Sequence, residues 1–266
     1  MTGWDELRDP ELWLTCDGFA VPVWVTRSRE PTARVLITSH GLTNDHHDAP
    51  LFAALRVELE REGATTLVEF DYPGSGRADG TLVDKRLELL RHTLVAVAAR
   101  VRDEFAPVPI VVLGRSMGGT VALSALPELR PDGLIVMSPP YKLTVSLGRL
   151  QGGQADDGTY PLPAWSQPSG QVKGAVALSG EFFAELEEEE RRVRHAAASA
   201  ANVLLVDSTQ DPKVHAEEMA ELWADLPDDR GNARRTFDTD HNYESEQPAT
   251  VRALVERITT IGPSAS

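Results

Sequence analysis

The chain has 266 residues and a formal net charge of −15, from 26 basic and 41 acidic residues. This length suits one large α/β domain, which can bury a core without disulfides or metals. The hydrophobic fraction of 41% and the charged fraction of 25% exclude a wholly disordered chain. The acidic balance disfavours nucleic acid and anionic membranes as partners. No apolar run reaches the roughly 20 residues that would span a bilayer.

The remaining compositional signals argue against several other classes. Cys16 is the single cysteine, so neither an intrachain disulfide nor a cysteine-based zinc cluster can form. The first ten residues are acidic and lack the basic and apolar stretches of a secretory signal, so we expect a cytoplasmic protein. Asp45, His46, His47 and Asp48 crowd one loop without the spacing of a metal motif, and we expect neither metal nor cofactor.

Apolar runs separated by turn residues predict a hairpin followed by alternating strands and helices. The predicted strands are residues 12–16, 19–26, 35–38, 66–70, 110–113, 134–137, 203–206 and 234–237. The predicted helices are residues 50–63, 84–104, 120–126, 182–198, 216–226 and 248–258. Such alternation predicts a mostly parallel sheet that is covered by helices on both faces. Residues 141–180 show no period and form an insertion in this pattern.

The clearest chemical motif is Gly114-x-Ser116-x-Gly118, which directly follows predicted strand 110–113. A serine in this context lies on a sharp strand-to-helix turn, where the glycines relieve crowding and the hydroxyl projects above the sheet. Ser116 is therefore the candidate nucleophile. The alternative is an ordinary strand–helix turn with a capping serine.

A serine nucleophile needs a base that is oriented by an acid. Where a serine occupies such a turn, the acid and then the histidine follow it along the chain. Three histidines follow: His195, His215 and His241. The first lies in a charged helix and the second opens the next helix. His241 follows the last predicted strand, at the sheet edge where Ser116 is expected, and is the predicted general base.

The acid should follow the strand that precedes the histidine. Predicted strand 203–206 leads into Asp207, which is still at the strand end, and into Asp211 in the loop beyond it. Asp211 is the preferred partner because a loop position before Pro212 can reach the His241 ring. Asp207 stays open as the alternative.

Acyl transfer also needs two N–H donors for the developing oxyanion. One is expected from Met117, the residue after the nucleophile, and the other from the loop after strand 35–38. That loop contains His40-Gly41-Leu42, in which the Leu42 N–H is the candidate donor. His40 is expected to brace the loop rather than to act as a base.

Together these motifs resemble the α/β-hydrolase family, in particular the branch of cinnamoyl and feruloyl esterases, monoacylglycerol lipases and serine aminopeptidase-like hydrolases. The resemblance covers most of residues 33–262. The residues that carry it are His40-Gly41-Leu42, Phe70-Asp71, Gly74, Gly76, Asp79-Gly80, Gly114-Arg115-Ser116-Met117-Gly118-Gly119, Asp211 and Asp240-His241-x-Tyr243. It implies an α/β-hydrolase fold: a single domain over residues 1–266 with a small cap insertion over residues 141–200.

Three positions depart from the family's usual residues, namely Pro73, Ala78 and Arg115. They bear on the substrate class rather than on the triad. In the family, the cap covers the site, so Tyr141, Tyr160 and Trp165 are candidates to line an acyl or aryl pocket. Packing within the cap is the alternative for each. The acidic run 187–190 lies on the predicted cap helix and suggests a mild bias against anionic substrates.

The sequence thus predicts a serine hydrolase that cleaves a small-molecule carboxylic ester or thioester through an acyl-enzyme. An acyltransferase or cyclising thioesterase would carry the same triad. A peptidase would need an anchor for the peptide α-amine, for which Asp156 and Asp157 are candidates. A non-catalytic scaffold on the same fold is the remaining alternative, which an intact triad disfavours.

Overall fold

The eight strands of the central sheet occur where the sequence predicts them, whereas two short strands lie in the segment predicted to be irregular. A computed structural model describes residues 9–47, 49–166 and 173–262. Its strands are β1 (Leu12–Cys16), β2 (Phe19–Thr26), β3 (Arg34–Ser39), β4 (Thr65–Phe70), β5 (Ile110–Arg115), β6 (Gly133–Met137), β7 (Tyr160–Pro161), β8 (Ala177–Leu178), β9 (Val203–Ser208) and β10 (Ala233–Phe237).

The helices are α1 (Ala49–Glu62), α2 (Leu87–Phe105), α3 (Met117–Ser124), α4 (Leu126–Leu129), α5 (Leu143–Ser146), α6 (Gly180–Ala184), α7 (Leu186–Ala197), α8 (Ala216–Asp225) and α9 (Gln247–Thr260). Four predicted helices correspond to observed ones with shifted ends, the other two each correspond to a pair of helices, and the short helix α5 was not predicted. The helix predicted over residues 182–198 is two helices, because α6 ends at Ala184 and α7 begins at Leu186, with Glu185 between them. Among the described residues, no helix is both long and apolar enough to cross a lipid bilayer.

The central sheet contains eight strands in the order β1-β2-β4-β3-β5-β6-β9-β10. β1 and β2 form the predicted antiparallel hairpin, and β2 is antiparallel to β4. The remaining neighbours are parallel. Parallel strands present their carboxyl ends at one edge, so the loops after β3, β5, β9 and β10 meet there. This is the edge at which the sequence predicts the candidate residues Ser116, Asp211 and His241.

Alternation along each central strand divides the core into two layers, one on each face of the sheet. In β3, Val35 and Ile37 belong to one layer and Leu36 to the other. The first layer packs against α2, α3, α7 and α8, and the second packs against α1 and α9. Both faces are covered, which explains why these strands are continuous apolar runs. The predicted mostly parallel sheet with helices on both faces is confirmed.

The start of α2 differs from the predicted helix 84–104. A 3-10 turn occupies Leu82–Asp84, and α2 begins only at Leu87. The turn is closed by a capping box, in which the Thr81 N–H donates to Asp84 Oδ2 at 2.7 Å. Lys85 lies between the turn and α2 with an extended backbone. A helical pattern in the sequence does not reveal this break.

Residues 141–200 leave the sheet after β6 and return to it at β9. This segment, called the inserted segment below, contains α5, a small antiparallel pair of β7 and β8, and helices α6 and α7. The buried carboxylate of Glu218 on α8 fastens its first residues. It accepts hydrogen bonds from the N–H groups of Tyr141 and Lys142 and from the Ser146 hydroxyl.

Candidate active site

Ser116 occupies a strained turn between β5 and α3. Its backbone has φ 53° and ψ −124°, a conformation that L residues rarely adopt. Ser116 N–H donates to Met137 O on the neighbouring strand at 2.8 Å, which helps to hold the turn. The side chain is partly exposed and lines a cleft. The strain therefore presents the hydroxyl at the carboxyl edge of the sheet.

The flanking glycines are required by close backbone contacts. A Cβ on Gly114 would lie 2.3 Å from Gly118 O, and a Cβ on Gly118 would lie 2.1 Å from Ser39 O. Either contact would push the backbone apart. The Gly114-x-Ser116-x-Gly118 spacing thus permits β3, β5 and α3 to approach one another at the turn.

His241 and Asp211 form a short hydrogen bond in the loops after β10 and β9. His241 Nδ1 lies 2.6 Å from Asp211 Oδ2. The other carboxylate oxygen accepts the backbone N–H groups of Lys213 at 2.7 Å and Val214 at 2.9 Å. The carboxylate is therefore fixed by its own loop and leaves one oxygen for the imidazole. The His241 ring and Ser116 line the same cleft.

Burial and charge determine the protonation of this pair. Burial raises the pKa of Asp211, but the hydrogen bond and charge of His241 and the two backbone donors outweigh it, so the net pKa is lowered. Burial also lowers the pKa of His241, an effect that Asp211 opposes and that the charges of Arg115 and Lys213 reinforce. The arrangement favours a carboxylate beside a neutral imidazole, the state in which a histidine can accept a proton.

The alternative acid has a different partner. Asp207 lies within β9, where Arg234 Nη2 donates to it at 2.6 Å and Thr236 Oγ1 at 2.8 Å. The structure therefore pairs His241 with Asp211 and not with Asp207. His195 is exposed on α7, and His215 precedes α8, where its ring contacts Arg149.

The His241 loop is held from two sides. Arg115, the residue before the nucleophile, donates from Nη1 to His241 O at 3.3 Å. The Tyr243 hydroxyl donates to Val206 O at 3.1 Å and lies 2.7 Å from Ser138 Oγ. The unusual arginine beside the serine thus contacts the main chain of the histidine. Its guanidinium also lies 3.5 Å from Asn242 Oδ1 in the same loop.

The segment after β3, residues 40–44, is called the β3 loop. A Cβ built on Gly41 would lie 3.7 Å from Ser116 Cβ, so the loop runs directly past the nucleophile. The His40 ring is buried and bridges two main-chain groups: Nδ1 lies 2.8 Å from Gly41 O, and Nε2 accepts the Tyr72 N–H at 3.0 Å. Leu42 and Met117 both line the cleft.

The cleft encloses about 610 Å³, part of it open to solvent. Its described lining contains three cationic side chains, Arg115, Arg149 and Lys213, and no Asp or Glu. The net charge of the chain therefore does not describe the charge around the nucleophile. The acidic run 187–190, which suggested a bias against anions, is absent from this lining.

The predicted substrate-binding tyrosines lie elsewhere. Tyr141 is fully buried, its hydroxyl donates to Asp225, and Arg194 lies over its ring at 4.7 Å. Tyr160 packs edge-on against Phe183 with ring centroids 5.1 Å apart. Neither side chain is part of the described cleft lining. Both side chains pack against other residues of the protein instead. The predicted contribution of the Trp165 side chain lies outside what the structure describes.

Other residues of the inserted segment line the cleft instead: Ser146, Leu147, Arg149, Leu150 and Ser166. None of these five residues is aromatic, so the expectation of an aromatic lining did not include them. Sequence reasoning also missed the buried Glu218 and Lys85, which lie in unremarkable charged contexts. Their burial is set by contacts with distant segments, which the sequence pattern around them does not show.

The Asp45–His47 loop brings potential metal ligands together. The donor atoms of Asp45, His46 and His47 lie within 4.8 Å of one another, while Asp48 lies outside the described residues. His46 Nδ1 is already 2.8 Å from Asp71 Oδ1, and its ring stacks on Trp24 with centroids 3.7 Å apart. The geometry of His46 is thus explained by protein contacts.

Comparison with known proteins agrees with this architecture. Est1E of Butyrivibrio proteoclasticus, with ferulic acid bound, superposes with a TM-score of 0.74 at 21% identity, over 94% of this chain and 98% of that one. A monoacylglycerol lipase of Paleococcus ferrophilus gives a TM-score of 0.67 at 17% identity, over 90% and 99%. A search of curated proteins found no match.

A putative hydrolase of Agrobacterium vitis S4 is also similar, with a TM-score of 0.72 at 19% identity, over 93% of this chain and 98% of that one. At these identities the likeness shows the α/β-hydrolase fold. Residues 30–226, more than half of the chain, match the family model described as serine aminopeptidase, S33. The resemblance inferred from the motifs is confirmed. The chain belongs to the serine aminopeptidase S33 family of α/β-hydrolases.

Proposed function

We propose that this protein is a serine hydrolase that cleaves a carboxylic ester or thioester. The observation that carries the proposal is the hydrogen-bonded pair of His241 and Asp211. The His241 ring of this pair lines the same cleft as Ser116, which lies on a strained strand–helix turn. Esterase and lipase neighbours on the same fold support it. A weakly nucleophilic serine, a neutral base and a fixed carboxylate are the components of acyl transfer.

In the proposed reaction, His241 Nε2 accepts the proton of Ser116 Oγ as that oxygen attacks the carbonyl carbon. The Asp211 carboxylate keeps the proton on Nδ1 and stabilises the imidazolium that forms. The N–H groups of Leu42 and Met117 are the proposed donors to the tetrahedral oxyanion. His241 then protonates the leaving alcohol or thiol. Water, deprotonated by the same base, releases the acid from Ser116.

The charge of the cleft favours ester cleavage over the removal of amino-terminal residues. An aminopeptidase needs an acceptor for the peptide α-ammonium group, and the described cleft lining offers no carboxylate side chain. Asp156 and Asp157 are exposed and belong to no described part of that lining. Transfer of the acyl group to an alcohol or amine would use the same residues and differs only in the final nucleophile.

The test is labelling with an active-site fluorophosphonate, combined with a chain-length series of aryl esters. Wild type should be labelled and should hydrolyse at least one ester, whereas Ser116→Ala should do neither. Equal labelling of the two proteins would refute the nucleophile. Absence of both activities in wild type would support a scaffold. Adding alcohols or amines and analysing the products separates hydrolysis from acyl transfer.

A further inference from the structure

Lys85 is a fully buried lysine that the proposed reaction does not use. It lies between the 3-10 turn Leu82–Asp84 and the first residue of α2, with φ −66° and ψ 133°. This extended residue breaks the helical direction and turns its side chain into the protein. The ammonium reaches the β3 loop, whose position in sequence is more than forty residues away.

The ammonium has two close partners. Lys85 Nζ donates to Leu42 O at 2.6 Å and to Ser75 Oγ at 2.7 Å. Among the described residues, no carboxylate forms an ion pair with it, although the charges of Asp71 and Asp45 act on it. Burial lowers the pKa of Lys85 to about 7, and these two acids oppose that shift.

Stability alone does not account for such a residue. Burying an ammonium group costs several kcal/mol even after relaxation, and apolar residues of similar volume often replace buried charges without loss. Here the compensation is a backbone carbonyl and a hydroxyl rather than a directly paired carboxylate. An apolar side chain could reproduce neither contact, and the one with Leu42 O lies in the β3 loop beside the nucleophile.

The Leu42 backbone is held on both of its sides. The peptide unit that carries the Leu42 N–H also contains the Gly41 carbonyl, and that carbonyl is bound by the His40 ring at 2.8 Å. The next peptide unit begins with the Leu42 carbonyl, which Lys85 binds. Since a peptide unit is planar, fixing the Gly41 carbonyl sets the direction of the Leu42 N–H, and the Lys85 contact restrains rotation of that unit against the next one.

We propose that Lys85 is a positioning residue for the oxyanion: its ammonium fixes the Leu42 backbone so that the Leu42 N–H meets the charge that develops on the substrate oxygen. This inference rests on the proposed function of the cleft. Lys85 does not contact the substrate, and it acts through the β3 loop. Its effect is therefore expected on the transition state rather than on the bound substrate.

The test replaces the ammonium by an apolar chain of similar length, Lys85→Met. We expect kcat for an aryl ester to fall about 10- to 100-fold, because a misplaced oxyanion donor loses much of its contribution. KM should change less than about threefold, because the ground-state carbonyl carries little charge. The inhibition constant of an aryl trifluoromethyl ketone, which forms a tetrahedral oxyanion on the serine, should rise by the same factor as kcat falls.

A second variant, Lys85→Gln, keeps the test possible if Lys85→Met does not fold. In Lys85→Gln, the side chain keeps polar character but ends one bond short of the ammonium, so we expect the same pattern. Arg34→Met is the matched control, since it removes a largely buried cation that pairs with Glu62 at the opposite end of β3. That variant should lower the melting temperature and leave kcat and ketone affinity unchanged.

The outcomes separate this inference from the proposed function. A folded Lys85 variant with wild-type kcat would overturn the inference, as would a lower kcat with unchanged ketone affinity. Either result leaves the serine hydrolase intact, provided that wild type hydrolyses the ester and Ser116→Ala does not. If wild type shows no serine-dependent hydrolysis, the proposed function itself fails.

Discussion

Two buried histidine–aspartate pairs lie near the carboxyl edge of the sheet, and their local geometry is similar. His241 Nδ1 lies 2.6 Å from Asp211, and His46 Nδ1 lies 2.8 Å from Asp71. Each carboxylate also accepts two backbone N–H groups: Lys213 and Val214 for one, His46 and Arg77 for the other. Each has a lowered pKa, in spite of burial that raises it, because these donors stabilise the ionised form.

The two pairs differ in the surroundings of the histidine ring. The His241 ring lines the cleft that contains Ser116. The His46 ring stacks on Trp24 at 3.7 Å, lies 3.9 Å from the His47 ring and is not part of the described cleft lining. A histidine–carboxylate pair therefore becomes a candidate base only where its second nitrogen can reach a nucleophile. Elsewhere the same pair can hold a loop in place.

The largest expected contrast is between alanine variants of the two histidines. His241→Ala should lower kcat for an aryl ester at least about 10³-fold, because the serine loses its base. His46→Ala, the matched control, should change kcat only a few-fold and lower the free energy of unfolding by about 1–3 kcal/mol. Steady-state kinetics and denaturant unfolding measure both. Equal losses of kcat would remove the distinction between the pairs.

Replacing the Asp211 carboxylate should have the next largest effect on kcat. Asp211→Asn is expected to lower kcat about 10²- to 10³-fold, because asparagine no longer stabilises the imidazolium or fixes the tautomer. Fluorophosphonate labelling should slow by a similar factor. A loss of tenfold or less would move the acid to another residue, and Asp207→Asn tests the alternative directly.

The pair of His46 and Asp71 should affect the free energy of unfolding and the way in which that free energy depends on pH. The pKa of Asp71 is lowered from the ordinary value of 3.8, so its ionised form stabilises the fold above pH 3.8. That contribution is lost as the pH falls through the lower pKa of the folded state. Asp71→Asn should therefore cost about 1–3 kcal/mol of unfolding free energy at pH 7. The difference from wild type should shrink in unfolding curves measured below pH 3.

The smallest expected effect is electrostatic. The charge of Lys213 helps to hold the pKa of His241 down. Lys213→Met should raise that pKa and move the acidic limb of the profile of kcat/KM against pH to higher pH, since only the neutral imidazole is a base. Lys142→Met is the control, because its ammonium pairs with Glu221 and is not part of the cleft lining. An unmoved limb in Lys213→Met would show that this charge is screened.

The strand pattern was predictable because a parallel sheet covered on both faces needs continuous apolar strands. Periodicity identified α2 but not the break before it, since Lys85 follows the 3-10 turn and reaches a loop distant in sequence. The same limit applies to Tyr141. An aromatic residue in an irregular segment offers no sequence signal that distinguishes a cleft from the hydrogen bond it makes with Asp225.

The sequence by itself determined the fold, the family and the candidates Ser116, Asp211 and His241. It could do so because the turn glycines, the strand ends and the chain order are local features. The sequence preferred Asp211 over Asp207, but only the tertiary structure showed the hydrogen bond between Asp211 and His241 and gave Asp207 a different partner, Arg234. Only the tertiary structure placed Arg115, Arg149 and Lys213 around the cleft of an acidic chain. Pairing and local charge depend on contacts between distant segments, which composition and spacing do not encode.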